Sequence, residues 1–280
     1  MKIATWNIQS ARSPDGGADI DRVAATLARF KDADILCLQE VADGFPHRDG
    51  SPGINQFAAL AMRLPGYHPR SAFALDVAAP DGRRRRLGCM TLSRFPVRQT
   101  LRHSLPWPSD PAVSSMPRIA LELTLDTPQG LLRVLNTHLE YFSETQRLAQ
   151  AEHLRTLHRE ACAHASAPRA GLDVDGPFAA VPRALDAVLA GDFNMLPGSP
   201  AWHVLQRRFD DATTEAWHDA WRLAHPAQAH APTVNLRTAE PFTFDYAFVG
   251  TGLAPRVRGV QVDAIATGSD HQPLLLELGP

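Results

Sequence analysis

The feature that most constrains this chain is a recurring one: a short apolar run that stops abruptly at residues with polar, proton- or metal-binding side chains. The run over residues 184–190 ends in Gly191-Asp192-Phe193-Asn194. Residues 33–38 end in Gln39-Glu40, residues 3–6 in Asn7, and residues 131–135 in Asn136-Thr137-His138. Runs this short, bounded by turn formers, read as buried strands. Strands alternating with helical patterns predict a layered α/β fold, in which site residues collect where strands end. Asp192 and Asn194, two apart at a strand end, project from one side and put a carboxylate beside an amide. Taken alone, Gly-Asp-Phe-Asn is as readily a turn. The other stretches change that balance.

In chain order, residues 3–8 form a strand, and a helix follows with Ile20, Val23, Leu27 and Phe30 at helical spacing and Asp19 as its cap. Residues 33–41 are a buried strand, and 55–64 a helix ended by Pro65-Gly66. Residues 73–93 read as a hairpin about Pro80-Asp81-Gly82, with Arg83 to Arg86 on its return arm. A basic run beside a hairpin tip reads as a solvated face, with phosphate binding as the alternative. Residues 103–117, rich in proline and serine, are a long loop. A second hairpin turns at Thr127-Pro128-Gln129-Gly130 and ends at His138. Ser143 and Gln146 have capping-box spacing before a long helix with Leu148, Ala151, Leu154, Leu157 and Ala161 inward. Residues 165–182 are an insertion rich in Pro, Gly and Ala. Ser199-Pro200 opens a helix, and residues 210–223 contain a short one. Residues 242–249, 257–263 and 274–278 are strands. With no repeat and no boundary, residues 1–280 are expected to be one domain.

Composition excludes several classes. Hydrophobic content of 44% with 21% charged residues suits a globular core. A net charge of -2 gives no global basic field for nucleic acid. The three cysteines, Cys37, Cys89 and Cys162, have no metal or pairing spacing, which predicts reduced thiols and a cytoplasmic setting. The start of the chain reads as a strand rather than a secretion signal, and no run approaches the roughly 18 apolar residues that span a bilayer.

Eight residues form the candidate constellation: Asn7, Glu40, His138, Asp192, Asn194, Asp245, Asp270 and His271. Each has an ordinary explanation by itself, such as a solvated strand end, a hydrogen-bonded structural histidine or a self-capped loop. One active site explains all of them together. The stretches Thr5-Trp6-Asn7-Ile8, Leu38-Gln39-Glu40-Val41, Asn136-Thr137-His138-Leu139, Gly191-Asp192-Phe193-Asn194, Phe244-Asp245-Tyr246 and Ser269-Asp270-His271 resemble, in order, the motifs of the endonuclease/exonuclease/phosphatase superfamily. That superfamily includes DNase I-like nucleases, abasic-site endonucleases, neutral sphingomyelinases and inositol polyphosphate 5-phosphatases. The resemblance implies an α/β (α+β) fold, a DNase I-like four-layer α/β/β/α sandwich with two mixed sheets face to face and the site at one edge.

Phosphodiester hydrolysis needs a cation, an activated water and stabilisation of developing charge. Glu40 is a hard oxygen ligand suited to Mg²⁺, with Mn²⁺ as an alternative; the family pattern places Asn7 near it, and Asp270 is a further candidate ligand. His271 is the candidate general base, with Asp245 fixing its tautomer. His138 and Asn194 are assigned to phosphate oxygens. Asp192 is open between orienting water, protonating the leaving oxygen and binding a second metal. The chain departs from many nuclease members in having Thr243-Phe244, and no basic pair, before Asp245-Tyr246. Tyr141 lies too close to His138 to be the tyrosine that abasic-site endonucleases use. Arg94 and Arg118 resemble basic positions that either contact phosphate or pair with acids. The sequence therefore predicts a metal-dependent phosphodiesterase, with a nuclease, a phosphomonoesterase on a phosphorylated sugar or inositol, or a non-catalytic module on the same fold as alternatives.

Overall fold

Side-chain alternation along the strands decides the layering. In β1 (Lys2–Asn7), Ile3 faces one core while Ala4 and Trp6 face another. In β2 (Ile35–Asp43), Ile35 and Cys37 share the side of Ile3, and Leu36 and Leu38 the side of Trp6. Strands that are apolar on both faces must be covered on both faces. The computed structural model describes residues 1–12, 18–30, 32–47, 53–167, 179, 181–236 and 240–280. Its remaining strands are β3 (His68–Ala78), β4 (Arg84–Ser93), β5 (Val97–Ser104), β6 (Ile119–Thr127), β7 (Gly130–His138), β8 (Ala187–Asp192), β9 (Trp217–Asp219), β10 (Asp245–Gly250), β11 (Val257–Val262) and β12 (Leu274–Leu278). The helices are α1 (Ile20–Ala28), α2 (Gln56–Arg63), α3 (Glu144–Ser166), α4 (Pro200–Gln206) and α5 (Ala220–Ala224).

The strands form two mixed six-stranded sheets, ordered β11-β12-β1-β2-β4-β3 and β5-β6-β7-β8-β10-β9. Val134, Val188, Ala190, Ala247 and Val249 of the second sheet meet Ile3, Ile35 and Cys37 of the first in the central core. The opposite face of the first sheet packs on Val23 and Leu27 of α1 and on Leu60 of α2. That of the second packs Leu135, Leu189 and Phe248 against Leu154 of α3 and Leu205 of α4. This is the four-layer sandwich that the motif order implies. Each fully buried Leu, Ile or Phe contributes about 1.5–3 kcal/mol of transfer free energy, so three cores hold the layers without disulfides. All three cysteines are buried and free. No helix among the described residues is long and apolar enough to cross a membrane.

Several local expectations change. The expected loop over 103–117 overlaps the end of β5, a strand not read from the sequence; β5 is the edge of the second sheet, half-exposed, and Arg98 and Arg102 blur its alternation. The capping box of α3 is half formed. Ser143 Oγ accepts from Gln146 N at 3.2 Å, but the Gln146 amide donates to Pro108 O and Ser115 Oγ. Ser199 precedes Pro200 at the helix start without a side-chain bond. β10 begins at Asp245 because Phe242 and Phe244 bond Val234 and Thr233 of the preceding loop. The expected insertion over 165–182 falls largely outside the described residues.

Candidate active site

Register assembles the second-sheet half of the site. β7 and β8 are parallel and pair His138 with Asp192; β8 and β10 are antiparallel and pair Asp192 with Asp245. Three ionisable side chains therefore stand in one row across three adjacent strands. Gly191 allows this close packing, because a Cβ there would lie 1.9 Å from Thr137 O. His271 comes from the loop before β12. Trp6 Nε1 donates to its carbonyl at 3.0 Å, Ser269 Oγ donates to Asn7 O at 2.7 Å, and Gln272 N donates to Thr233 O at 2.7 Å. These bonds hold the ring over the row, with Nδ1 2.9 Å from Asp245 Oδ2 and Nε2 3.7 Å from Asp192 Oδ2.

The first-sheet half depends on a break in alternation. Leu36 and Leu38 face outward, so regular pairing would send Glu40 outward too. Instead the register shifts between Leu38 and Val41, Glu40 takes φ 53°, and Val41 recovers the outward position. The bulge thereby delivers the Glu40 carboxylate to the cleft. Asn194 is also left-handed, at φ 48°, as are Gln9, Ser10 and Ala11 after β1. Each such residue costs on the order of 1–2 kcal/mol, so their concentration around one cleft marks backbone held against its preference. Ser10 Oγ donates to Glu40 O at 3.2 Å, and Gln56 Nε2 donates to Ser10 O at 2.6 Å, which fixes this segment.

Asn7 joins the halves: its Nδ2 donates to Glu40 Oε1 at 3.0 Å and to Asp192 Oδ2 at 2.9 Å. Its Oδ1 accepts from Gln9 N at 2.9 Å, and Gln9 Nε2 donates to Asp270 Oδ2 at 2.7 Å. Asn194 Nδ2 donates to both Leu139 O and His138 Nε2 at 2.9 Å, so Nε2 of His138 is the unprotonated nitrogen. Burial lowers the His138 pKa well below its usual value, and the charges of Arg118 and His271 lower it further. This ring is neutral. Burial likewise raises the Asp192 carboxyl to about 7; Asp245 adds to the shift, while His271 and the bonds from Asn7 and Asn194 oppose it. For His271, burial alone would favour the neutral ring, but Asp245, Asp192 and Asp270 outweigh it and raise the pKa to about 10. At neutral pH the imidazolium stands beside a carboxyl poised to gain or lose a proton.

All eight expected residues meet in one region. Six line a cleft of about 460 Å³, and the other two, Asn7 and Asp245, lie just beneath its surface, hydrogen-bonded to lining residues. Among the described residues, the acid and histidine atoms that converge within 4.8 Å are those of Asp192, Asp245 and His271. Glu40 and Asp270 line the same cleft, and Asn7 Nδ2 bonds both Glu40 and Asp192.

Other contributors carried weaker signals in the sequence. Gln39 Nε2 donates to Asn136 Oδ1 at 2.7 Å, and Asn136 Nδ2 donates to Leu38 O and Met90 O, forming a buried polar bridge between the sheets behind the site. Both residues fall within recognised motifs, and their inward parity was the available clue. Arg118, a lining residue of the cleft, donates from Nε to Glu140 Oε2 at 3.1 Å, and its buried Nη1 has no partner. Arg83, Arg84 and Arg86 pair with Asp81, Asp76 and Asp43, the solvated hairpin face expected of a basic run there.

Residues 4–271 match the profile of the Endonuclease/Exonuclease/phosphatase family, and the chain belongs to that family. The mannosyl-6-phosphatase Bt3783 of Bacteroides thetaiotaomicron is similar in structure at TM-score 0.70 and 18% identity, covering 99% of both chains. An endonuclease/exonuclease/phosphatase protein from Beutenbergia cavernae is 24% identical at TM-score 0.65, over 100% of this chain and 72% of that one. Truncated TDP2 from Caenorhabditis elegans is 19% identical at TM-score 0.62, over 100% of this chain and 97% of that one. No functionally curated protein matches the sequence.

Proposed function

We propose that the chain is a Mg²⁺-dependent phosphodiester hydrolase. The observation that carries this reading is the His138–Asp192–Asp245 row with His271 above it, facing a Glu40 carboxylate that a left-handed bulge turns into the same cleft. The donor set suits a hard divalent cation. Five carboxylates (Glu40, Glu140, Asp192, Asp245 and Asp270) stand in or behind the cleft against Arg12, Arg118 and His271, leaving negative charge in excess when all are ionised. Glu40 and Asp270 would hold the ion, with the second lone pair of Asn7 Oδ1 beside them. When bound, Mg²⁺ neutralises phosphate charge and lowers the barrier to attack by water.

The residues divide the remaining work. The raised pKa of Asp192 suits a carboxylate that takes the proton of the attacking water near neutral pH. His271, kept charged by Asp245, stabilises negative charge growing on a phosphoryl oxygen. This reverses the division expected from residue type alone, in which His271 was the base. His138, kept neutral by burial, is oriented by Asn194, and Arg118 brings positive charge to the cleft wall.

The test is hydrolysis by the full chain, with Mg²⁺ or Mn²⁺, of bis-p-nitrophenyl phosphate, p-nitrophenyl phosphate, plasmid DNA, single strands and phospholipid. Metal-dependent cleavage of the small diester, abolished by EDTA, is expected; no cleavage of any substrate overturns the reading. Because the arginine run is paired locally, the rate on a small diester is expected to change little between low and physiological salt. Strong DNA cleavage that falls steeply with salt, and collapses when Arg83 to Arg86 become serine, would make the chain a nuclease instead.

A further inference from the structure

The cleft lining contains two chemically distinct groups. One is the acids and histidines, and the other is aromatic: Tyr141, Phe142, Phe242 and Phe244. Their rings form a continuous strip. Tyr141 and Phe142 meet edge to face at 4.7 Å, Tyr141 and Phe244 at 6.0 Å, and Phe244 and Phe242 lie 4.5 Å apart. The strip is not core: Tyr141 is 49% and Phe142 59% exposed, despite the cost of keeping large rings in water.

The backbone beneath these rings is pinned. Phe142 N donates to Glu140 Oε1 at 2.9 Å, while Arg147 Nη1 donates to Glu140 O at 2.8 Å and Tyr141 O at 2.9 Å. The carboxylate that holds Phe142 is the one that holds Arg118, which also lines the cleft. One buried acid therefore ties together a cationic side chain of the cleft wall and the backbone of an exposed ring. Rigid aromatic surface beside an anion position is preorganised for a ligand that carries both groups.

We propose that Tyr141, Phe142 and Phe244 form a subsite for an aromatic ring attached to the phosphoester substrate, a proposal that rests on the phosphoesterase reading above. The shared chemistry is a planar ring close to phosphorus, either an aryl group bonded through oxygen or the base of a nucleoside. Stacking tolerates either, since both present a π-face.

The test is calorimetric binding to the full chain with Mg²⁺ of three probes: methylphosphonate, phenylphosphonate and a nucleoside 5′-phosphonate. At least one ring-bearing probe is expected to bind about tenfold more tightly than methylphosphonate, the lower range for one stacked ring. The tighter of the two identifies the ring's source. Tyr141→Ala, Phe142→Ala and Phe244→Ala are each expected to reduce that preference several-fold while leaving methylphosphonate affinity within about twofold. Unchanged circular dichroism would show that the fold persists, and Tyr141→Phe should retain the preference. Equal affinity for all three probes, or a preference that survives all three alanine variants, overturns the subsite while leaving the phosphoesterase reading intact. No binding of methylphosphonate, together with no hydrolysis of bis-p-nitrophenyl phosphate, overturns both.

Discussion

Two buried Asp–His pairs sit on neighbouring strands of the second sheet, and only one of them is placed for chemistry. Asp245 at the start of β10 holds His271 at 2.9 Å; Asp219 at the end of β9 holds His230 at 2.7 Å. The difference lies in what else each group touches. Asp219 is saturated: Oδ1 accepts from Trp221 N and Arg222 N at the start of α5, and Oδ2 also accepts from Trp202 Nε1. His230 lies among Trp221 and Tyr246. The second nitrogen of His271 instead faces Asp192 across the cleft, and Asp245 Oδ1 has no hydrogen-bond partner. A pair whose acceptors are all filled locks structure. A pair left incomplete, with a second acid opposite, can exchange protons with a substrate.

The largest expected effect separates the two histidines. His271→Ala is expected to lower kcat by roughly 10² to 10⁴ with much less change in KM, the span for loss of a positioned proton-transfer or charge-stabilising group. His230→Ala should leave kcat within about twofold and lower Tm. Steady-state kinetics and thermal melts on both variants decide the matter, and equal kinetic losses would erase the distinction.

Next in size is Asp245→Asn, which also resolves the role of His271. When the new amide turns its nitrogen toward Nδ1, that atom becomes an acceptor, so the ring is neutral and keeps a proton on Nε2. A base acting through Nε2 would then fail as completely as in His271→Ala. A ring acting through its charge would keep a neutral donor, and the loss should be smaller, about 10- to 100-fold. Rates of the two variants measured side by side give the answer.

The sequence carried the site because each of its members interrupts a local pattern: polar residues closing apolar runs, or acid and histidine side by side before a final strand. It did not carry the geometry of Glu40, since strict alternation would place that carboxylate on the outer face. Only the bulge, held by Gln56 and Ser10 from elsewhere in the chain, returns it to the cleft. The layers were legible from runs apolar on both faces, whereas β5 was not, because an edge strand needs only one packed face. Glu140 lacked any local signal. Its carboxylate meets Arg118, which lies in a different stretch of the chain, only through tertiary structure. The same limit hid the Asp219–His230 pair.

A third histidine sharpens the contrast through pH. His158 is fully buried on α3; its Nε2 donates to Glu215 O at 2.9 Å, and its Nδ1 accepts from Arg133 Nη2 at 2.5 Å. Burial and the Arg133 charge lower its pKa to about 3, against a weaker opposing effect from Glu215. The unfolded chain therefore takes up this proton first. The neutral ring's stabilisation is complete above about pH 6.5 and is lost as pH falls toward 3, by at most about 1.4 kcal/mol per unit. His271 has the opposite sign: its raised pKa stabilises below about 6.5, with loss as pH rises through about 10. Urea midpoints between pH 7.5 and 5 should fall less steeply for His158→Gln than for wild type. Parallel slopes would show that the ring is protonated in the folded chain.

The smallest expected effect is Asp219→Asn, the counterpart of Asp245→Asn at the structural pair. The new amide cannot satisfy all its neighbours. With its oxygen toward Trp221 N the cap survives, but its nitrogen then faces the Trp202 indole N–H, a donor that cannot reverse. With the amide turned over, Trp202 keeps its acceptor and the α5 N-terminus loses its cap. His230 can shift its proton between ring nitrogens and adapt to either orientation; Trp202 and the backbone cannot. One lost cap or one unmatched indole costs about 1–2 kcal/mol, a Tm decrease of a few degrees for a chain of this size. Because Asp219 contacts no residue of the Asp192–Asp245–His271 group, kcat and KM should stay within about twofold. The same one-atom exchange would then read as a rate defect at Asp245 and as a melting shift at Asp219. A kinetic loss at Asp219 comparable to that at Asp245 would mean that β9 and β10 transmit strain into the cleft, and that hydrogen-bond saturation does not separate the two pairs.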